Sequence, residues 1–183
     1  VVPGKSQPTN TLLPQLGHIG VQIAARGMGM RVIGIDAGSK KDIVLDSGAE
    51  HFINHEEGKA EEQVMALTSG LGAQAVLVLT AANAAYASAM GLLRYGGTLV
   101  VVGLPEGEMK PIATAFPSVM VAKALSIVGV AVGDRQDAVE TLAMAERGVV
   151  KTHFRTAKMD ELTGVFEEMH AQKLKGRVVL DLQ

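Results

Sequence analysis

The sequence predicts an α/β protein built on a doubly wound, mostly parallel sheet, and three observations carry that expectation. Short apolar runs alternate with helical patterns along nearly the whole chain, the order that gives parallel strands joined by right-handed crossovers. Residues 75–79 are apolar at every position, as in a strand covered on both faces. Residues 31–36 read Arg-Val-Ile-Gly-Ile-Asp, an apolar strand that ends in an acid. Ligands of such sheets bind at the carboxyl ends of strands.

The elements follow in order. Residues 1–14 hold three of the six prolines and little periodicity, so they are expected as an irregular lead-in with at most a stub of strand at Leu12 and Leu13. Ile19, Ile23 and Ala24 share a helical face, which predicts a crossover helix over 17–28. A strand at 31–35, a helix at 39–46, a strand at 52–54 and a helix at 61–68 come next. The strand at 75–79 precedes an Ala-rich helix at 83–93, and Gly96-Gly97 is expected to turn the chain into a buried strand at 98–102. Gly103, Leu104 and Pro105 then form a loop long enough to line a site. Further on, a helix at 118–123 and a strand at 126–132 are expected, then a helix at 137–147 with Val139, Leu142 and Ala143 inward. Leu162, Val165, Phe166 and Met169 stand at i, i+3, i+4 and i+7, the clearest helical signature in the chain. Residues 177–182 close it as a strand.

Composition bounds the function. With 183 residues and 48% hydrophobic content, the chain is long enough to bury a full core. A net charge of −2 gives no basic field for nucleic acid. No apolar run approaches the length of a membrane span, and the amino-terminal residues have no apolar centre of the signal-peptide kind. A cytoplasmic location is the default expectation. The chain contains no cysteine, which excludes disulfides and thiolate metal sites. It begins with Val and is read as a processed or truncated product.

Asp36 carries the chemistry. It follows Gly17 by about 20 residues, where a dinucleotide-binding βαβ unit places the carboxylate that accepts hydrogen bonds from an adenosine ribose. A carboxylate there repels a 2′-phosphate, so NAD is expected rather than NADP. The plainer reading is an acid that caps the next helix. His51 and His55 are too far apart along a strand to share a metal, and His18, His153 and His170 read as ordinary residues. No nucleophile elbow and no Walker sequence is present.

Five ordered segments then enter together: Leu16-Gly17-His18-Ile19-Gly20-Val21-Gln22, Val32-Ile33-Gly34-Ile35-Asp36, Val102-Gly103-Leu104-Pro105, Ser126-Ile127-Val128-Gly129 and Gly176-Arg177. They resemble the cofactor-binding part of zinc-dependent, medium-chain alcohol dehydrogenases, over residues 15–183. The resemblance implies a Rossmann-like fold, NAD as cofactor, hydride transfer from an alcohol, and a homo-oligomer, usually a tetramer. It implies that Asp36 and either Lys40 or Lys41 hold the adenosine ribose. Leu16 would approach the pyrophosphate through its backbone, and Arg177 would neutralise it with a fork suited to phosphate. Thr80, Val102, Leu104, Val130 and Val132 would border the nicotinamide. The strand at 126–132 would be a sheet edge that pairs with its copy in a neighbouring subunit.

The sequence departs from that family in two places. The Gly-rich phosphate loop is reduced to Gly17 and Gly20, with Pro14 and Gln15 where backbone contact should be closest, and the first strand is poorly represented. The family's catalytic zinc is held by cysteines and a histidine of a preceding domain, and this chain supplies no such ligands. The expected organisation is a lead-in at 1–14, an NAD-binding Rossmann-like domain at 15–148, and a strand-helix-strand at 149–183 that would pack on the catalytic domain. The expected function is the coenzyme-binding part of an NAD-dependent alcohol dehydrogenase, inactive alone. The alternative is a non-catalytic oligomerising remnant or interaction module that binds nucleotide weakly or not at all. A zinc-free quinone reductase relative would want a basic residue where Asp36 stands.

Overall fold

A computed structural model describes residues 14–105, 107–171, 174 and 176–182. The first helix, α1, spans Pro14–Gln22 and runs into a single π turn, Ile23–Gly27. Strand β1, Ile33–Asp36, leads through a 3₁₀ turn, Gly38–Lys40, to α2, Lys41–Asp46. Strand β2, His51–Asn54, and helix α3, Ala60–Leu67, follow, then β3, Ala73–Val78, and α4, Asn83–Ala89. The next elements are β4, Leu93–Val101, α5, Pro117–Lys123, β5, Ser126–Gly129, and α6, Arg135–Glu146. The chain ends with β6, Phe154–Lys158, α7, Leu162–His170, and β7, Arg177–Asp181.

Every strand pairing among the described residues is parallel, as the alternation of elements predicts. The ladders fall into three pieces: β1 with β2, β3-β4-β5 in that order, and β6 with β7. The main core gathers Ile35, Ile53, Val64, Val76, Val78, Tyr86, Leu92, Leu93 and Leu99 between these strands and α3 and α4. Burying each large aliphatic side chain contributes roughly 1.5–3 kcal/mol. Val21, Val32, Val44 and Ala49 form a second cluster under α1 and α2. Among the described residues no helix is long and apolar enough to cross a membrane.

Several expectations need correction. Pro14 opens α1 instead of closing an irregular lead-in, because a helix leaves its first N–H groups unpaired and proline lacks that donor. The stub at Leu12 and Leu13 lies outside the described residues. Gly96 and Gly97 do not precede the strand: both lie within β4, where Gly96 adopts φ +68° and the register with β3 shifts between Ala73 and Ala75. The strand expected at 126–132 stops at Gly129; Val130 donates its N–H to Val101 O, but Val132 turns into the left-handed region at φ +55°. Strand β6, Phe154–Lys158, is the first strand of the strand-helix-strand expected at 149–183, whose bounds the sequence did not place.

The two carboxyl-terminal helices show what periodicity can and cannot report. In α6 the Asp134 side chain accepts from the Gln136 and Asp137 N–H groups, and Asp137 returns the bond to the Asp134 N–H, which fixes the helix start from local residues. Yet Val139 and Leu142, expected inward, are 54% and 70% exposed. In α7 Val165 is buried, but Phe166 is exposed. An apolar stripe signals a face that wants cover; it does not say that the cover belongs to the same chain.

Gln22 joins the two ends of the molecule. Its side chain is buried, and its Nε2 donates to Lys151 O at 2.9 Å and to His18 O at 3.1 Å, while its Oε1 accepts from Lys151 N at 2.8 Å. Gln22→Ala leaves both Lys151 backbone groups without their partner, so urea unfolding is expected to register a loss of about 1–3 kcal/mol. An unchanged midpoint would mean that water replaces the amide at no cost.

Candidate coenzyme site

The carboxyl ends of the strands gather two clusters of polar and apolar groups. At the first, β1 delivers Asp36 to its last position, half-buried. One carboxylate oxygen accepts from the Ala37 N–H at 2.8 Å. Burial pushes the Asp36 pKa up, and the Ala37 N–H, Lys40 and His55 work against that rise. A carboxylate whose charge is disfavoured by burial gains most from a further donor. Beside it lies a small cavity of about 20 Å³ lined by Gly17, His18, Gly34, Asp36, Lys40 and Gly176, among others.

The sequence left Lys40 and Lys41 as equals, and the structure separates them. Lys40 ends the 3₁₀ turn on the side of Asp36 and donates from Nζ to Leu174 O at 2.9 Å. Lys41 starts α2 and is exposed. Leu16 stands in the first turns of α1, half-buried. His18, read from the sequence as ordinary, is buried, and its ring meets the His153 ring edge-on at a centroid distance of 5.4 Å. The His153 N–H approaches His18 Nε2 at 3.4 Å, and His153 O accepts from Arg177 N at 2.8 Å. These contacts bring the start of α1, His153 and Arg177 into one neighbourhood. Arg177 Nε is buried without a hydrogen-bond partner among the described residues, a donor suited to an anionic oxygen.

Gly176 makes this junction possible. Its φ is +72°, and a Cβ would stand 2.3 Å from His153 O, so no side chain fits. Sequence reasoning found Gly176 only as a companion of Arg177 and had no signal for the close approach.

The second cluster lies beyond β3, β4 and β5. Thr80 is buried, and its Oγ1 accepts from Ala82 N at 3.3 Å. Val102 and Gly103 both donate backbone N–H groups to Val78 O, and the Tyr86 hydroxyl donates to Gly103 O. Val130 continues the ladder beside Val101. Leu104 is 80% exposed and Val132 is 93% exposed. Thr80, Val102 and Val130 thus line up at adjacent strand ends, with Leu104 in the loop after β4, whereas Val132 stands two residues further along in a backbone conformation that β-branched residues rarely adopt. Among the described residues no group of three or more His, Asp or Glu could hold a metal ion, so a zinc site finds no fit in the described side chains.

Parallel strands alternating with helices, with an acid at the end of β1 beside a helix start, make this a Rossmann-like α/β fold. The chain belongs to the zinc-binding dehydrogenase family, whose profile matches residues 16–147. It is 51% identical over 175 residues to alcohol dehydrogenase 2 of Emericella nidulans, covering 91% of this chain and 48% of that protein. It is 40% identical over 169 residues to an alcohol dehydrogenase of Schizosaccharomyces pombe, covering 91% and 47%. Among solved structures, the alcohol dehydrogenase of Aeropyrum pernix superposes with a TM-score of 0.80 at 29% identity, over 92% of this chain and 47% of that one. A quinone oxidoreductase of Pseudomonas syringae shares the fold at 16% identity and a TM-score of 0.76, over 91% of this chain and 53% of that one. The chain spans about half the length of the curated relatives it matches.

Two outcomes test this geometry. The raised Asp36 pKa means that the folded chain holds this proton more tightly than the unfolded chain, so stability falls as pH rises from the ordinary aspartate range through the folded value. Asp36→Asn removes that loss, and its urea midpoint is expected to exceed the parent's at neutral pH and to converge with it in acid. At the second cluster, a Cβ on Gly103 would stand 2.3 Å from Thr80 O and 2.8 Å from Thr80 N. Gly103→Ala forces backbone against backbone, and calorimetry should register a destabilisation of about 1–3 kcal/mol or more.

Proposed function

We propose that this chain is the coenzyme-binding part of an NAD-dependent alcohol dehydrogenase, and that hydride transfer from an alcohol is the activity of the full-length protein. The observation that carries the reading is Asp36: a half-buried carboxylate at the carboxyl end of β1, with one oxygen held by a backbone N–H and Lys40 alongside. Ribose hydroxyls supply the donors that such a carboxylate accepts, and a 2′-phosphate in that place would meet like charge. The names of the relatives point the same way, and favour a dehydrogenase over a non-catalytic remnant.

In this reading Asp36 and Lys40 orient the adenosine ribose. The backbone at Leu16 and the buried Arg177 Nε face the pyrophosphate, with the positive end of the α1 dipole contributing to the same charge. Thr80, Val102, Leu104, Val130 and Val132 border the nicotinamide, where apolar surface excludes water from the reacting ring. NAD, when bound, supplies the hydride acceptor. Binding, orientation and the exclusion of water belong to this chain; the zinc chemistry of the full-length family belongs to residues outside it.

The same reading divides the chain into an NAD-binding domain at 15–148 and a carboxyl-terminal unit at 149–183 that packs on the catalytic domain. Phe154, Phe166, Val179 and Leu182 of that unit are exposed apolar side chains, surface that asks for cover. The outer edge of β5, where Ile127, Val128 and Val130 are exposed, is assigned to pairing with a second copy.

Titration of NADH into the 183-residue chain, read by cofactor fluorescence, tests the proposal. Saturable binding is expected, weaker for NADPH. Asp36→Ala removes a charge-assisted interaction of roughly 1.5–3 kcal/mol, a loss of about 10- to 100-fold in affinity. Absence of saturation at millimolar NADH, or tighter binding of NADPH, would overturn it.

A further inference from the structure

Helix α4 carries one bulky polar side chain among small ones. It reads Asn-Ala-Ala-Tyr-Ala-Ser-Ala, and Tyr86 is buried in the main core. A phenylalanine would fill the same space, so the hydroxyl is the part that needs a reason, and a buried hydroxyl needs a partner. Its partner is Gly103 O, to which it donates. Burial also pushes the Tyr86 pKa up, which keeps the hydroxyl protonated as a donor at neutral pH.

That bond falls at the tightest point of the second cluster. The Val102 and Gly103 N–H groups both donate to Val78 O, and Gly103 lies so close to Thr80 that a Cβ would stand 2.3 Å from Thr80 O. A peptide unit is planar and trans, so its C=O and N–H point in opposite directions. With the Gly103 N–H turned to Val78, the Val102 carbonyl turns away from Val78. With Gly103 O turned to Tyr86, the Leu104 N–H turns away from Tyr86. The result is one acceptor and one donor in consecutive peptide units, each with its direction set by a bond on the opposite side. A primary carboxamide carries the complementary pair, an N–H donor and a C=O acceptor.

We propose that Tyr86 is a positioning residue for the nicotinamide half of the coenzyme: through Gly103 O it holds the backbone from Val102 to Leu104 in the orientation that receives the ring's carboxamide. The inference rests on the assignment of these strand ends to the nicotinamide. Tyr86 acts from behind the backbone, through Gly103, and not by contact with the coenzyme. The next residue of α4 supplies a comparison, because Ala87 O accepts from Thr114 Oγ1 at 2.9 Å. This second bond ties the chain beyond β4 to the same helix without acting on Gly103.

The test compares two ligands on the 183-residue chain and its Tyr86→Phe variant. One is NADH, read by cofactor fluorescence. The other is ADP-ribose, read by calorimetry, which keeps the adenosine, the pyrophosphate and both riboses but has no nicotinamide. Tyr86→Phe should weaken NADH binding about tenfold and leave ADP-ribose within about twofold of the parent. Thr114→Val, which removes the comparison bond, should change neither ligand by more than about twofold. A measurement on the unsubstituted chain is independent of how the variant folds. The sequence has two tyrosines, and Tyr95 is 73% exposed, so fluorotyrosine labelling gives one buried reporter and one exposed reference. NADH should shift the Tyr86 fluorine resonance, ADP-ribose should not, and Tyr95 should respond to neither. With NADH still bound by the parent, three results would overturn the proposal: unchanged NADH affinity in Tyr86→Phe, equal loss of both ligands in a variant that unfolds cooperatively in urea, and a Tyr86 resonance that responds alike to both ligands. Failure of the parent chain to bind NADH at all removes the coenzyme reading itself, and this inference with it.

Discussion

One buried side chain, that of Gln22, holds the start of the molecule to its end. Its amide closes a two-sided bond with the Lys151 backbone across 129 residues, and it does so from the last position of α1, whose other inward residue, Val21, sits in the small cluster under α2. The His18–His153 contact one turn earlier and the Lys40–Leu174 bond on the neighbouring turn follow from that attachment. Gly176, next to Arg177, lines the same small cavity as Asp36. A polar group in the interior thus sets the register between two apolar units that hydrophobic burial alone would leave free to slide, since burial is non-directional and a hydrogen bond is not.

The site that results is assembled from backbone as much as from side chains. Asp36 is positioned because β1 ends there, and Thr80, Val102 and Val130 because three parallel strands end at the same level. Parallel pairing in register is what makes residues distant in sequence coincide at one edge of the sheet, and glycine is required wherever two such edges cross closely.

Much of this was legible in the sequence. The alternation of apolar runs and helical stripes gave the fold class, and most elements lie within a few residues of their expected places because each reports a local property. The place of Asp36 at the end of a strand was legible because an apolar run stops at it. The role of Gln22 was not, since a glutamine on a helix face reads as solvent-exposed until the backbone it meets is known. Nor was the difference between Lys40 and Lys41, which depends on where a 3₁₀ turn gives way to α2. The inward assignment of Val139 and Leu142 failed because amphipathic patterning records a demand for cover and not who meets it. The bounds of β6 were not legible because Phe154-Arg-Thr-Ala-Lys alternates weakly and has two cations among five residues.

The crossing of Gly103 over Thr80 has a consequence for how relatives of this chain can diversify. A side chain on Gly103 would meet the Thr80 backbone there, so Gly103 cannot be altered without dislocating two strand ends. Just beyond it, Leu104 and Val132 project from the surface of this chain and support nothing within it. Within this chain the packing therefore holds one fixed point, Gly103, beside two side chains, Leu104 and Val132, that carry no core. Substitution at Leu104 or Val132 should therefore cost this fold far less than substitution at Gly103.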